Sequence, residues 1–157
     1  MGVDRTFRTR TLLQVSGMDE SIPPVAEDHA HMKKVLLIDD DADVRRIGSM
    51  SLRKLGGFEV LLASSGAEGL IMAEQMIPDL ILLDIVMPGL EGMVTIGELK
   101  KSPMTKAIPV IFLTGARELS PPERIREVGA LGVIFKPLDP LRLPSQAREL
   151  VEVSRAR

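Results

Sequence analysis

A doubly wound α/β sandwich, a (βα)5 chain built around a five-stranded parallel sheet, is the fold this sequence predicts. Three observations carry the prediction. Short apolar runs recur along the chain: Val35-Leu36-Leu37-Ile38, Leu80-Ile81-Leu82-Leu83, Val110-Ile111-Phe112-Leu113 and Val133-Ile134-Phe135. Continuous runs of this length, without polar alternation, read as strands covered on both faces. Segments with helical spacing and helix caps fill the intervals between them. Finally, each run ends on a side chain that can do chemistry: Asp39 and Asp40, Asp84, Thr114 and Lys136. Ligands of open parallel sheets bind at the carboxyl ends of the strands, so these groups are expected to meet at one edge.

The elements follow in order. Strand one is expected at about 34–39. Helix one follows at about 42–55, with Val44, Ile47, Ser51 and Leu55 on one face and Arg45, Arg46, Ser49 and Arg53 elsewhere. Gly56-Gly57 supplies a left-handed stop. Strand two is placed at about 58–63. Ser65 and Glu68 have capping-box spacing and open helix two, which Pro78 ends. Strand three covers 80–84. A loop with Pro88, Gly89 and Gly92 leads to helix three, ending near Lys101. Strand four is expected at 108–113. Pro121-Pro122 opens helix four and Gly129 closes it. Strand five covers 132–135. Pro144 would break a helix begun at Asp139-Pro140, so helix five is expected to start at Pro144 and reach about Val153. The sum is a (βα)5 sandwich of the flavodoxin-like kind, occupying residues 33–157. Residues 1–32 lack a sustained apolar period and are expected to be a disordered tail. Leu12-Leu13-Gln14-Val15 within them is at most a weak strand or docking segment, and Met32 stands where a shorter chain would start.

Composition narrows the function. The 157 residues hold no Cys, which excludes disulfides, thiol catalysis and Cys-ligated zinc. Acids and bases nearly balance at a net charge of −2, so no global field attracts nucleic acid. No apolar stretch approaches the roughly 18 residues of a membrane span, and the amino terminus does not read as a secretory signal. A cytoplasmic protein that binds neither nucleic acid nor membrane is the expectation. His29 and His31 fall in the tail and are expected to be solvated. The basic pairs Arg45-Arg46, Arg53-Lys54 and Lys100-Lys101 read as solvated helix faces.

The acidic landmarks suit a hard cation. Mg²⁺ takes oxygen ligands, commonly one or two carboxylates with waters and a substrate phosphate. Asp39 and Asp40 from one strand end and Asp84 from another supply them. A carboxylate can also act as a nucleophile and form an aspartyl phosphate. The oxygens of the phosphoryl group would then find the cation, the Lys136 ammonium and the Thr114 hydroxyl, which meets the need of phosphoryl transfer for positioning and charge neutralisation. Asp41 and Asp43 read instead as helix caps.

With these motifs in hand, the chain resembles a receiver domain of two-component response regulators, chemotaxis-regulator-like and stand-alone. The motifs are Val-Leu-Leu-Ile-Asp39-Asp40-Asp41, Leu-Leu-Asp84-Ile-Val-Met87-Pro88-Gly89-Leu-Glu-Gly92, Phe-Leu-Thr114-Gly and Phe-Lys136-Pro137. The resemblance implies that Asp84 accepts a phosphoryl group from a sensor histidine kinase or phosphotransfer protein. It implies that Mg²⁺ is held by Asp40 directly, by Asp39 partly through water, by Asp84 and by the Val86 backbone carbonyl. Thr114 and Lys136 would read the phosphoryl group, and the Lys136-Pro137 bond would be cis. The chain would then be no enzyme beyond promoting its own phosphorylation and dephosphorylation. Its output would be docking to a downstream protein through helix four, strand five and helix five, as a monomer or a phosphorylation-dependent dimer, with no output domain of its own.

The sequence departs from the family's pattern in places. Val133 stands where receivers usually carry an aromatic that follows the hydroxyl inward; Phe135, on the same strand face, is a substitute for that role or simply packs under helix five. Gly115 follows Thr114 where Ala is common. Val86 and Ala116 flank the site without a side chain to position a water, so loss of the phosphoryl group is expected to be slow to moderate. Two alternatives have different chemistry: a haloacid-dehalogenase-type phosphatase, which would need further acidic ligands after Lys136, and a degenerate receiver acting only as a binding module.

Overall fold

The computed structural model describes residues 32–87, 92–115 and 122–156. The tail, with its His29 and His31, and the loop residues Pro88, Gly89, Ala116 and Pro121 lie outside the described residues. The elements are β1 (Lys34–Ile38), α1 (Ala42–Lys54), β2 (Glu59–Ala63), α2 (Gly66–Met76), β3 (Leu80–Asp84), α3 (Gly92–Lys101), β4 (Val110–Thr114), α4 (Pro122–Glu127), β5 (Gly132–Phe135) and α5 (Leu143–Ala156).

The apolar runs make an all-parallel sheet in the order β2-β1-β3-β4-β5. Its central strands β3 and β4 are buried at every residue, which is why they lack polar alternation. Successive residues serve opposite faces. Leu36, Ile38, Ile81, Leu83 and Phe112 join Ala73 of α2, Ile96 and Leu99 of α3 and Ile125 of α4 in one aliphatic core. On the other face Gly48 of α1 lies against Leu37 of β1 and against Leu143 at the start of α5. Two ties hold the ends of α1 and α5 together: Ser51 Oγ of α1 donates to Pro140 O, just before α5, at 2.5 Å, and Arg148 of α5 bonds Gly56 O, just after α1, while lying 4.4 Å over the Phe58 ring.

The helix boundaries follow local chemistry. Asp41 caps α1, accepting from the Asp43 and Val44 amides. The helix ends where Gly57, at φ +72°, lets Phe58 N reach back to Leu52 O. Ser65 caps α2 and accepts from Glu68 N, but Glu68 returns to the amide and hydroxyl of Ser64 rather than to Ser65. Ile77 ends α2 in the left-handed region at φ 44°, just before Pro78. Strand four runs to Thr114, one residue further than expected, and α5 begins at Leu143 with Pro144 in its first turn, where a missing amide hydrogen leaves no bond unmade.

The buried face of α1 shares Ser51 with the apolar stripe of Val44, Ile47 and Leu55 but does not coincide with it. Gly48, Ser49, Ser51 and Leu52 are buried, whereas Ile47, Met50 and Leu55 are exposed and line a surface groove with Lys54 and Pro140. Close approach decides this: a Cβ on Gly48 would stand 2.8 Å from Leu37 Cδ2, so the small residues face the sheet and the larger ones are turned out.

Candidate phosphoacceptor and metal site

The topology places the acidic residues. β1 continues to β2 on one side and pairs with β3 on the other, so the strand order reverses between β1 and β3. The crevice at the carboxyl ends of such strands is the ligand site of open α/β sheets. Ile38 is level with Leu83, so the next residues, Asp39 and Asp84, emerge side by side. One carboxylate oxygen from each of Asp39, Asp40 and Asp84 lies within 4.8 Å of the others. Asp39, Asp84 and Thr114 are buried, and Asp40 is exposed at the mouth. Thr114 O accepts from Lys136 N at 2.9 Å, which ties the ends of β4 and β5 beside this cluster. The Lys136-Pro137 bond is cis, as the resemblance implied.

The turn after β3 is equally constrained. Asp84 Oδ1 accepts from Val86 N at 3.1 Å. Gly92 N donates to Ile85 O at 2.9 Å, and a Cβ on Gly92 would lie 2.3 Å from Asp84 O. Glycine is therefore required there: α3 starts against the backbone of the acidic residue itself.

Charge is unevenly matched. Lys136 Nζ stands 2.7 Å from Asp39 Oδ2 and 3.4 Å from Asp84 Oδ2. Asp39 Oδ2 is buried without a hydrogen-bond donor in good geometry, so the ammonium answers it as an ion pair. Burial works against the Lys136 charge, but the Asp39 and Asp84 carboxylates outweigh it and hold the ammonium above its usual range. Asp84 fares worse. Burial and the neighbouring Asp39 push its carboxyl up to about 6 against the pull of the more distant ammonium. One cation serves two buried carboxylates, and Asp39 has the larger share. The donor set, hard oxygens with surplus negative charge and one ligand open to solvent, fits a hydrated divalent cation.

Comparison with known proteins agrees with this geometry. Residues 35–148 match the family model described as the response regulator receiver domain. The chain belongs to the response-regulator receiver family. It is 35% identical over 119 residues to the probable transcriptional regulator ycf27 of Porphyra purpurea, covering 76% of this chain and 47% of that protein. It is 34% identical over 118 residues to the response regulator PleD of Caulobacter vibrioides, covering 74% of this chain and 26% of that protein. The chain thus spans about half the length, or less, of these curated relatives. Among solved structures, the chemotaxis protein CheY4 of Vibrio cholerae superimposes with a TM-score of 0.68 at 30% identity, covering 76% of this chain and 98% of that one. Membership in this receiver family places the domain in two-component signalling. Among the described residues no helix is long and apolar enough to cross a membrane.

Sequence reasoning brought together Asp39, Asp40, Asp84, Thr114 and Lys136, and the fold gathers them at one edge. It missed how the basic pairs are used. Arg45 Nη1 donates to Asp39 O at 2.7 Å, Arg53 donates to Val60 O at 3.1 Å, and Lys100 Nζ donates to Lys106 O and Ile108 O. One member of each pair closes backbone carbonyls; the other faces solvent, Arg46 pairing with Asp43 and Lys101 with Glu98. The available signal was position: Arg45 lies one turn into the helix that follows Asp39, within reach back to the strand end.

Proposed function

We propose that this domain is a phosphoacceptor: Asp84 takes a phosphoryl group from the phosphohistidine of a sensor histidine kinase or phosphotransfer protein, and the phosphorylated domain docks to a partner protein. The observation that carries this reading is the buried Asp84 carboxylate beside Asp39, Asp40 and Lys136, short of compensating positive charge. Asp39, Asp40, Asp84 and the Val86 carbonyl would hold Mg²⁺, which when bound supplies the missing positive charge to the carboxylates and to one phosphoryl oxygen. A carboxylate oxygen of Asp84 forms the new bond to phosphorus as the bond from phosphorus to the histidine nitrogen breaks, and the nitrogen keeps the electron pair. Lys136, already 3.4 Å from Asp84 Oδ2, turns its ammonium to the incoming oxygens. The Thr114 hydroxyl, at the end of the neighbouring strand, takes a further oxygen.

Output requires that this change reach a surface. Val133 packs partly buried against the aliphatic core and carries no ring, so an aromatic rotamer switch has no side chain at that position. The routes left are Phe135, two residues on along β5, and motion of the end of β4 at Thr114 relative to β5 and α5, with the face of α4, β5 and α5 as the docking surface. The exposed Val86 offers no polar side-chain atom to guide a water, so the acyl phosphate is expected to be lost at a slow to moderate rate.

The test is intact mass after incubation with Mg²⁺ and acetyl phosphate, with Asp84→Asn alongside. A single Mg²⁺-dependent adduct, absent in the variant and decaying at a slow to moderate rate after donor removal, is the expected result. A folded chain that binds Mg²⁺ but forms no adduct would make it a binding module. Release of inorganic phosphate over many turnovers would make it a phosphatase.

A further inference from the structure

Asp40 differs from the rest of the acidic cluster. It is exposed, and among the described residues no hydrogen bond or ion pair holds its carboxylate. Its place in the cluster is therefore set by the backbone that carries it. That backbone is fixed at Asp39: the Asp39 amide donates to Ala63 O at 3.1 Å, and Asp39 Oδ1 accepts from Asp41 N at 2.9 Å. The peptide linking Asp39 to Asp40 is pinned by one further contact, the 2.7 Å bond from Arg45 Nη1 to Asp39 O. A peptide is planar, so fixing its carbonyl oxygen fixes where the next Cα lies, and the bond from Asp41 N to Asp39 Oδ1 on the far side of Asp40 limits the rotation left to its Cβ. Arg45 is well placed to do so, being partly buried in the first turns of α1 with its own amide bonded to Asp41 O at 3.1 Å. Its charge also reaches Glu68: the Ser64 amide and hydroxyl chiefly hold that carboxyl below its usual range, and Arg45 adds to the effect.

We propose that Arg45 is a positioning residue of the metal site: by holding the Asp39–Asp40 peptide it presents the Asp40 carboxylate to a divalent cation. The inference rests on the reading of Asp39, Asp40 and Asp84 as a Mg²⁺ site. It makes a prediction opposite in sign to that of charge alone. A guanidinium near a cation site repels the cation, so as a bare charge Arg45 would weaken Mg²⁺ binding and its removal would tighten it. As a positioning donor, its removal loosens Asp40 and weakens binding.

The experiment is calorimetric titration of Mg²⁺ into the full chain, comparing wild type with Arg45→Ala and with Arg45→Lys, which keeps the charge and stem but loses the fork of donors. Each variant is also melted in EDTA, and its rate of phosphorylation by acetyl phosphate is followed as a function of Mg²⁺ concentration. Arg45→Ala is expected to weaken Mg²⁺ binding about tenfold, the lower end for groups that orient metal ligands. Arg45→Lys should fall between. The EDTA melting point should change little, and saturating Mg²⁺ should restore the maximal rate. Equal or tighter Mg²⁺ binding in both variants overturns the proposal. So does a loss of maximal rate with unchanged Mg²⁺ affinity. Absence of Mg²⁺ binding by wild type overturns the metal reading beneath it.

Discussion

The two edges of one sheet handle charge in opposite ways. At the amino edge, where β1 and β3 begin, charged groups close the backbone. Asp79 Oδ2 accepts from Lys33 N at 2.9 Å and from Lys34 N at 2.8 Å, and Lys34 Nζ donates to Met76 O at 3.0 Å. Lys100 Nζ, between α3 and β4, satisfies two carbonyls in the same manner. At the carboxyl edge, among the described residues, Asp40 has no partner and Asp39 Oδ2 has an ion pair without a good hydrogen bond, while Asp84 is pushed toward its neutral form. Both edges use the same residue types. The amino edge uses its charges to close the backbone and the carboxyl edge leaves its carboxylates open, and a carboxylate already satisfied by amides has little to offer a cation or a phosphorus atom.

The strongest test of this contrast is Asp84→Asn without metal. Between an unfolded value near 3.8 and the folded value of about 6, the folded chain binds the extra proton on Asp84, so stability falls as pH rises through this window and the penalty is complete above about 6. Removing the charge is expected to raise stability by about 2 kcal/mol at pH 7 in EDTA. The gain should shrink toward zero as the pH is lowered to about 4, as read by urea unfolding at several pH values. A variant less stable than wild type at pH 7 would mean that the carboxyl edge is as well satisfied as the amino edge.

Asp79→Ala should behave in the opposite way. It leaves the Lys33 and Lys34 amides without their carboxylate, and a loss of about 1–2 kcal/mol is expected, with Mg²⁺ affinity and adduct formation unchanged. A change in Mg²⁺ affinity would show that the two edges are coupled through the sheet. The smallest effect concerns Ile77, which sits at φ 44° before Pro78 on the amino side. A branched side chain is strained in the left-handed region, whereas Asn tolerates it. Ile77→Asn is expected to stabilise by roughly 0.5–1 kcal/mol, because the exposed side chain gives up little burial. A loss instead would mean that the Ile77 side chain contributes more than its strain removes.

By itself the sequence determined the strand-and-helix order, the parallel sheet and the residues of the acidic edge. Continuous apolar runs such as Leu80-Ile81-Leu82-Leu83 leave few other structures open, and a chemistry-bearing residue at a strand end is placed by the strand. Tertiary structure decided which face of α1 is buried, since Gly48 packs against Leu37 more closely than any larger residue could and so outweighs the apolar pattern of Ile47 and Leu55. It also decided how the charges pair. Lys136 leans toward Asp39 rather than Asp84, and Arg45 reaches back to Asp39 O, because these distances depend on strand register and helix approach, to an ångström or so. A residue's type and order are written in the chain, whereas the share of one ammonium between two carboxylates exists only once β1, β3 and β5 end side by side.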